Sequence, residues 1–403
     1  MMAQYCKSSF LILFTFICVI VGLVNAGHKL PAPFTEKCIV DTENQYNPGR
    51  ATEVPWYTID LDAPAKERWK QVASDYKQEI RELIGVIEKL SFPFFHGKLI
   101  QWVDKVMSPW NKRLPQPYQD EITGIAEATN QTIGEIVLYN IFYEIFTVCT
   151  SIVAEDPMGK LYHARNLDFG LFLGWNWTSH EWMISEKLRK IVVNVRWMRK
   201  GKLLYKSNNF AGYTGIYNAI RPGLFTITAN ERFDIDGGYV GLLLWLFGIG
   251  NAKWMSWATR EAVETANGYK QLVEKLSTEE LMSPVYFIVG GNKTGQGCII
   301  TRGRKKTVST IRLNPSKSNG WYVLQTNYDP GKAPLYIDDR RTPGNACMRK
   351  LGRNRVSPRG LYNVLSSRTN LNKLTTYTVL MQVNSGSLET YRRSCSTPDC
   401  WPW

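Results

Sequence analysis

The sequence predicts an α+β protein in which antiparallel sheet predominates. Apolar residues recur at helical spacing over the first part of the chain, up to about Thr147. After that point, runs rich in β-branched and aromatic residues alternate with turn residues, which indicates strands. The change falls at Cys149. Several strands with helices before and between them are typical of the α+β class.

The N-terminus has the pattern of a cleaved signal peptide. An apolar run over residues 8–24 follows Lys7 and ends in Val-Asn-Ala at 24–26. The run is too short and too close to the N-terminus to favour the alternative, an uncleaved membrane anchor. We therefore predict a signal peptide over residues 1–26 and entry of the mature chain into the secretory pathway.

Three helices are predicted before Cys149. The first is a long amphipathic helix from residue 62 to about residue 90, which Pro93 is expected to end. The second and third span 118–128 and 133–146, and the third opens with a capping box over 132–135. Beyond Cys149, strands are predicted at 191–197, 202–206, 224–229, 284–290, 298–302, 321–327, 375–383 and 388–392.

The stretch from 149 to 165 predicts a strand, a tight turn that contains Pro and Gly, and a returning strand. Such a hairpin brings Arg165, Asn166 and Asp168 back toward Cys149. A thiol, a guanidinium and a carboxylate then converge at one edge of a sheet.

Several classes of chemistry are not indicated. The chain has no Gly-x-Ser-x-Gly elbow and no phosphate-binding P-loop motif. Its four histidines lack metal-ligand spacing, so we expect neither a metal nor a cofactor. The net charge of +14 is spread along the chain without a recognition motif. We therefore expect no nucleic-acid partner, and an anionic lipid surface fits the charge better.

A cysteine nucleophile at position 149 needs a base. A papain-like pair would use His163 or His180, and this alternative stays open on the residues alone. A free α-amine is the other solution, since its unperturbed pKa is about 7.7–8.0 and it can activate a nucleophile at a chain start. Cys149 begins the strand-rich part directly after a helical segment that can serve as a propeptide. The remaining alternative is a small buried strand residue without chemistry.

Six cysteines follow the predicted signal: Cys38, Cys149, Cys298, Cys347, Cys395 and Cys400. Six cysteines allow 15 pairings, and the secretory pathway permits disulfides. Cys395 with Cys400 is the natural short pair, and Cys38 with Cys347 is the plausible long-range bridge. Cys298 lies in a predicted strand and is expected to be a buried free thiol, which leaves Cys149 for chemistry. Three sequons mark predicted glycosylation sites: Asn130, Asn176 and Asn292.

Five motifs together resemble one enzyme family. They lie at 148–156, 163–170, 229–233, 325–329 and 338–343. In them the chain is similar, over essentially its whole mature length, to the acid ceramidases, which are N-terminal-nucleophile hydrolases of the cholylglycine-hydrolase branch. The resemblance implies an αββα sandwich. It also implies self-cleavage between Val148 and Cys149, with a helical α subunit over 27–148 and a catalytic β subunit over 149–403.

The resemblance assigns roles to Cys149 and its neighbours. Cys149 is implied to be the nucleophile in self-cleavage and in catalysis, with its new α-amine assisting proton transfer. Arg165 and Asp168 match positions that orient and electrostatically support the cysteine, and a guanidinium also favours thiolate over thiol. On the residues alone, Arg165 and Asp168 are equally consistent with a structural ion pair.

Three further positions match the site of that family. Asn327 matches the side-chain donor for the tetrahedral oxyanion, while Glu231 and Arg340 match other polar positions. Without the resemblance, Asn327 reads as a turn residue and the other two as surface charges.

The implied substrate is ceramide, cleaved through an acyl-thioester that releases sphingosine and then a fatty acid. The resemblance also implies a lysosomal location, with secretion as a further destination, and a saposin-type activator. The apolar stretch at 239–250, with Trp254 and Trp257, is expected to line an acyl channel, to rest on lipid, or to be ordinary core.

Two rival interpretations stay open. An N-acylethanolamine-hydrolysing acid amidase shares the nucleophile and the 165–168 segment, but its pattern lacks Cys347, the terminal cysteine pair and the segment found here at 169–176. The other rival is a non-catalytic lipid-binding protein of the same fold. The intact set of Cys149 and its predicted partners argues against it.

Overall fold

A computed structural model of the protein describes residues 38, 40, 42–95, 114–145, 147–169, 174–233, 252–335, 338–395 and 400. The predicted signal peptide and the apolar stretch at 239–250 lie outside these ranges. No helix within the described ranges is long and apolar enough to cross a membrane.

Helices dominate the described chain before Cys149 and recur between the later strands. The α-helices in the described residues are α1 (Lys70–Asp75), α2 (Lys77–Phe95), α3 (Tyr118–Thr129), α4 (Ile133–Ile145), α5 (Met183–Lys190), α6 (Met255–Thr265), α7 (Tyr269–Thr278), α8 (Arg341–Leu351) and α9 (Pro358–Ser366). Short 3₁₀ helices lie at Thr42–Asn44, Pro48–Glu53, Ala65–Glu67 and Arg353–Arg355.

The first predicted helix differs from the structure in three ways. The α-helix begins at Lys70 and not at residue 62, after a 3₁₀ helix at Ala65–Glu67. It is divided at Tyr76, whose φ of −112° and ψ of 20° fall outside the helical region. Helix α2 then continues through Pro93 to Phe95, so the predicted end at Pro93 is wrong. Pro93 has no backbone N–H, so α2 lacks one helical hydrogen bond there but does not end at this residue.

The capping box predicted for the third helix is confirmed at the start of α4. The Glu135 amide donates to Thr132 Oγ1 at 3.1 Å, and the Thr132 amide donates to Glu135 Oε2 at 2.6 Å. The two bonds satisfy backbone donors that an uncapped helix end leaves without partners.

The strands in the described residues are β1 (Trp56–Asp60), β2 (Thr147–Glu155), β3 (Leu161–Phe169), β4 (Trp175–Asn176), β5 (Glu181–Trp182), β6 (Val192–Arg199), β7 (Lys202–Phe210), β8 (Asn218–Arg221), β9 (Phe225–Glu231), β10 (Val285–Gly291), β11 (Gly297–Arg302), β12 (Thr307–Arg312), β13 (Tyr322–Gln325), β14 (Thr375–Gln382) and β15 (Ser387–Arg392). One sheet has the order β1-β6-β7-β8-β9-β10-β11-β12, the second β13-β2-β3-β14-β15, and β4 pairs with β5. Every pair is antiparallel except β1 with β6, which confirms the predicted antiparallel character.

The two large sheets pack face to face, with helices on their outer faces. Strand β2 shows the alternation that this requires. Val153 packs between the sheets with Ile288 of β10, whereas its neighbour Ile152 packs with Met348 of α8 and Leu361 of α9. The order of layers is helix, sheet, sheet, helix, so the predicted α+β fold with an αββα sandwich is confirmed.

The structure contains two disulfides among its described residues. One joins Cys38 to Cys347 in α8 across a sequence separation of 309 residues, and the other joins Cys395 to Cys400. The long-range bridge ties the N-terminal segment to a helix that lies on the second sheet. Cys149 and Cys298 are buried thiols.

The three sequons lie at different depths in the structure. Asn130 is exposed at the left-handed C-cap of α3. Asn176 and Asn292 are half-buried, and the Asn292 side-chain nitrogen donates to the Gly223 carbonyl at 2.6 Å. Glycosylation at all three sites stays a prediction.

Trp254 and Trp257 belong to the core. Their rings stack with centroids 4.0 Å apart, and both side chains are buried. The Trp257 indole donates to Thr214 Oγ1 at 3.0 Å. Of the three expectations for these tryptophans, ordinary core is the one the structure shows.

A buried charge cluster fastens α3 to the later part of the chain. Glu121 of α3 is fully buried and receives both guanidinium ends of Arg260 of α6, at 2.5 and 2.7 Å. Arg68 and the Trp69 indole donate to the same carboxylate at 3.1 and 3.0 Å. Every lone-pair direction of this buried anion is thereby used, as a buried charge requires.

We expect Glu121→Gln to destabilise the fold by about 3 kcal/mol, because it removes the carboxylate that the buried Arg260 shares with Arg68 and leaves Arg260 only the partly exposed Glu264 as a counter-charge. Urea unfolding measures this change. The matched control is Glu127→Gln on the same helix, which breaks an exposed pair with Lys66 and should move the unfolding midpoint little. An unchanged midpoint for Glu121→Gln would contradict the role given to the cluster.

Candidate active site

The hairpin predicted around Cys149 is formed by β2 and β3. The register sets Val148 opposite Asp168, Cys149 opposite Leu167 and Ser151 opposite Arg165. Strand β2 begins at Thr147, before the predicted start. Val148 and Cys149 are therefore consecutive residues of one continuous strand.

Side-chain alternation places the site residues on two faces of the sheet. Cys149 and Arg165 share the face that meets the other large sheet, because residues opposite each other in an antiparallel pair point the same way. Asp168 lies three residues after Arg165 and so lies on the opposite face. The two are not an ion pair with each other: Arg165 contacts the thiol, and Asp168 contacts Arg340.

The Cys149 thiol is fully buried against a guanidinium. Arg165 Nη2 donates to Cys149 Sγ at 2.7 Å, while Nη1 donates to the Tyr217 carbonyl at 2.9 Å. Burial raises the pKa of the Cys149 thiol, and Arg165 opposes that rise through its charge and its hydrogen bond. Arg165 is thus the group that most favours the thiolate at this position.

The backbone of Cys149 is held by two residues from a different part of the chain. Its amide donates to Asn327 Oδ1 at 2.9 Å, and its carbonyl accepts from Arg340 Nη1 at 2.5 Å. Asn327 follows β13, which pairs with β2, and Arg340 directly precedes α8. The chain thus fixes the peptide groups on both sides of the Cys149 α-carbon.

Arg340 joins the separate parts of the site. It binds both oxygens of Asp338 at 2.9 Å, Asn327 Oδ1 at 2.8 Å and Asp168 Oδ2 at 3.3 Å. Burial acts to lower the pKa of Arg340, but the carboxylates of Asp338 and Asp168 raise it above its ordinary value. Arg340 is therefore a permanent cation, and the surface-charge reading of this residue is wrong because it is almost completely buried.

Asp168 supports the backbone of the nucleophile through Arg340, and its negative charge also acts to raise the pKa of the Cys149 thiol. Its other oxygen, Oδ1, accepts from Thr375 Oγ1 at 2.6 Å. Burial raises the pKa of Asp168 to about 6, although Arg340 and the Thr375 hydroxyl act to lower it. Protonation of Asp168 in the acid range would loosen its hold on Arg340.

Asn327 presents both ends of its amide to the site. Its oxygen accepts from Cys149 and Arg340, and its nitrogen donates to the Glu231 carbonyl at 2.7 Å. An amide nitrogen has two hydrogens, so one N–H is left for a reacting oxygen. Glu231 enters this arrangement through its backbone carbonyl, and a role for its side chain stays a prediction.

The histidines considered as partners lie away from the thiol. His163 is opposite Val153 on β2, four positions from Cys149, which is about 13 Å along a strand. Its ring nitrogens contact Thr226 Oγ1 and Thr228 Oγ1, each at 3.0 Å, and burial lowers its pKa to about 3. His180 lies between β4 and β5 with its ring 6.1 Å from that of Trp175. His180 is exposed, whereas the Cys149 thiol is fully buried with Arg165 as its hydrogen-bond donor. A papain-like pair with either residue is therefore wrong.

Some site residues have no signal in the sequence. Asp338 lies within one of the family motifs. Nothing in the sequence around Thr375 or Tyr217 indicates that the Thr375 hydroxyl contacts Asp168 or that the Tyr217 carbonyl contacts Arg165. Within the described residues, no cluster of three or more His, Cys, Asp or Glu side chains could hold a metal ion.

We expect Arg165→Met to lower amide hydrolysis about 10- to 100-fold, because it removes the cation that opposes the rise in the pKa of the buried Cys149 thiol. The pH dependence of kcat/KM measures the shift, which should be toward higher pH. Arg165→Lys keeps the charge and should fall between Arg165→Met and wild type. A wild-type pH profile for Arg165→Met would show that Arg165 does not control the thiol.

We expect Asp168 to make stability depend on pH in a definite direction. Its pKa rises from 3.8 to about 6 on folding, so its contribution is fully present below about pH 4 and is lost as the pH rises through about 6. Between these limits, wild type should lose on the order of 2–3 kcal/mol more stability than Asp168→Asn. Thermal unfolding of both proteins at acid and neutral pH tests this, and parallel pH profiles would contradict it.

Two parts of the chain match models of known protein families. Residues 149–352 match the family model of linear amide C–N hydrolases, choloylglycine hydrolase family. Residues 52–114 match the model for the beta subunit of N-acylethanolamine-hydrolyzing acid amidase.

Among curated relatives, acid ceramidase from Homo sapiens is 42% identical over 372 residues, covering 92% of this chain and 94% of that protein. Acid ceramidase from Bos taurus is 42% identical over 392 residues, covering 96% and 98%. Among solved structures, a Caenorhabditis elegans N-acylethanolamine-hydrolyzing acid amidase ortholog is 30% identical, covers 58% of this chain and 92% of its own, and has a TM-score of 0.49. The family model and the curated relatives show that the chain is an amide hydrolase that belongs to the choloylglycine hydrolase family, among the N-terminal-nucleophile hydrolases related to acid ceramidases.

Proposed function

We propose that this protein hydrolyses ceramide through an acyl-thioester on Cys149, after cutting its own chain between Val148 and Cys149. One observation carries the proposal. The Cys149 thiol lies 2.7 Å from a buried guanidinium, and its backbone nitrogen, the future α-amine, lies 2.9 Å from Asn327. The Cys149 thiol, the Arg165 guanidinium and the Asn327 amide are thus in contact around one residue, Cys149.

In the self-cleavage step, the Cys149 sulfur attacks the Val148 carbonyl carbon. The S–C bond forms, the Val148–Cys149 C–N bond breaks, and the thiol proton moves to the departing nitrogen. Water then hydrolyses the thioester, which leaves a carboxylate on Val148 and a free α-amine on Cys149. Because the thiol is fully buried in the continuous strand, cleavage is also what would give a substrate access to it.

In the cleaved enzyme, the α-amine accepts the thiol proton as the thiolate attacks the amide carbon of ceramide. The remaining Asn327 N–H stabilises the oxyanion, and such a donor is typically worth about 2.7–4 kcal/mol. Sphingosine leaves as the C–N bond breaks and its nitrogen takes up the proton. Water attacks the thioester and releases the fatty acid, which restores the thiol.

The choice of ceramide is supported by the names of the relatives, since proteins about 42% identical over most of their length are acid ceramidases. The N-terminal match to an acid amidase model favours N-acylethanolamines as the rival substrate class. The α subunit would span 27–148 and the β subunit 149–403, with the Cys38–Cys347 disulfide joining them after cleavage.

The proposal extends to the setting of the enzyme. Disulfides suit a chain that passes through the secretory pathway, and we propose the lysosome as its destination. The net charge of +14 suits an anionic lysosomal membrane surface, with a saposin-type protein delivering the lipid.

Self-cleavage is tested by incubating purified protein at about pH 4.5–5 and measuring intact masses. We expect wild type to yield a chain that begins at Cys149, whereas Cys149→Ala stays uncut and does not release sphingosine. Cys298→Ala, which removes the other buried thiol, is the matched control and should cut normally. A Cys149→Ala protein that cuts at the same bond would overturn the self-cleavage proposal.

Substrate class is tested in the same buffer with ceramide and an N-acylethanolamine of equal acyl length. We expect kcat/KM to be higher for ceramide. A preference for the N-acylethanolamine would assign the protein to the rival activity. Binding of ceramide without any hydrolysis by the cleaved chain would show a lipid-binding protein instead.

A further inference from the structure

We propose that Arg232 and Asp329 form a positioning pair that holds Asn327 in reach of Cys149. Neither residue touches the thiol, so the role is to position a reacting group. This inference rests on the proposed catalytic role of Asn327.

The pair has the geometry of a strong, oriented contact. Arg232 Nε donates to Asp329 Oδ1 at 2.7 Å and Nη2 donates to Oδ2 at 2.8 Å, a two-point interaction between planar groups. The Tyr286 hydroxyl of β10 donates to Asp329 Oδ1 at 2.6 Å. Arg232 is 7% exposed and Asp329 18% exposed, so solvent screens the pair only in part.

The pair joins the segment that contains Asn327, residues 327–329, to residues 231–233, which contact it. Arg232 lies between Glu231, whose carbonyl accepts from Asn327 Nδ2 at 2.7 Å, and Phe233, whose amide donates to the Asn327 carbonyl at 3.1 Å. Asp329 lies two residues after Asn327 and receives the Arg232 fork. Residues 231–233 therefore grip residues 327–329 at three points, and the side-chain ion pair is the strongest of them.

These contacts help to set the direction of the second side-chain N–H of Asn327, the one proposed to stabilise the oxyanion. The Glu231 carbonyl takes one of the two amide hydrogens, and the orientation of that carbonyl depends on the loop that Arg232 anchors. A displacement of about 1 Å in a reacting or stabilising group can cost about 100-fold in rate. Relaxation of the loop thus affects the oxyanion donor more than it affects substrate binding.

The pair is suited to work in an acid compartment. The hydrogen bonds from Arg232 hold the pKa of Asp329 well below its usual range against the opposing effect of burial, and the Tyr286 hydroxyl and Lys332 act in the same direction as Arg232. Asp329 therefore remains a carboxylate where ordinary carboxyl groups begin to protonate, and the contact with Arg232 is retained.

The test is a double-mutant cycle on the self-cleaved enzyme, with kcat and KM measured for amide hydrolysis. Asp329→Asn should lower kcat about 10- to 100-fold and leave KM within about twofold of wild type. Asn327→Ala alone should lower kcat about 10²- to 10³-fold. Adding Asp329→Asn to Asn327→Ala should cause no further loss, since the pair acts through Asn327.

Arg232→Lys is the second variant, because it keeps the charge but loses the two-point fork and so tests the pair if Asp329→Asn folds poorly. It too should lower kcat without changing KM. The matched control is Glu155→Gln, which breaks a 2.9 Å pair with Arg353 at the far end of β2 and should leave kcat near wild type.

Wild-type kcat in both Arg232→Lys and Asp329→Asn would overturn the inference. So would a loss in the Asn327→Ala background as large as the loss in wild type, or an effect confined to KM. Wild-type kcat in Asn327→Ala would remove the proposed role of Asn327 itself. That result separates failure of the proposed function from failure of the positioning pair.

Discussion

The buried guanidinium of Arg340 holds the parts of the site together. It bridges the Cys149 carbonyl on β2, Asp168 on β3 and Asn327 after β13, and Asp338 fixes it from a fourth direction. Removing a partner from a buried cation of this kind is costly, because part of its charge is then left uncompensated. The geometry at Cys149 therefore depends, through Arg340, on the correct packing of β2, β3 and the segment after β13.

The two faces of the second sheet divide the work between two arginines. On the face between the sheets, Arg165 acts on the sulfur of Cys149. On the other face, Arg340 acts on its backbone and on Asn327. The alternation of side chains along β3 imposes this division, because Arg165 and Asp168 are three residues apart and cannot share a face. Asp168 is thus a support for Arg340 and not a direct partner of the thiol.

Local patterns were sufficient for the hairpin, since turn residues and a return strand place Arg165 opposite β2. They were not sufficient for Asn327 and Arg340, which lie 178 and 191 residues from Cys149 in sequence. No local period encodes such contacts, and only the family motifs indicated them. An ion pair between Arg165 and Asp168 is consistent with their closeness in sequence but not with the two-residue period of a strand, which places them on opposite faces. Helical spacing likewise does not indicate the break at Tyr76 or the continuation of α2 through Pro93.

In the proposed reaction, ceramide is cleaved through an acyl group carried on the Cys149 sulfur. Rapid acid quenching of the cleaved enzyme with ceramide, followed by peptide mass spectrometry, measures this directly. We expect a burst of sphingosine together with a fatty-acyl adduct on the peptide that begins at Cys149. A sphingosine burst with Cys149 unmodified, or with the acyl group on another residue, would contradict it.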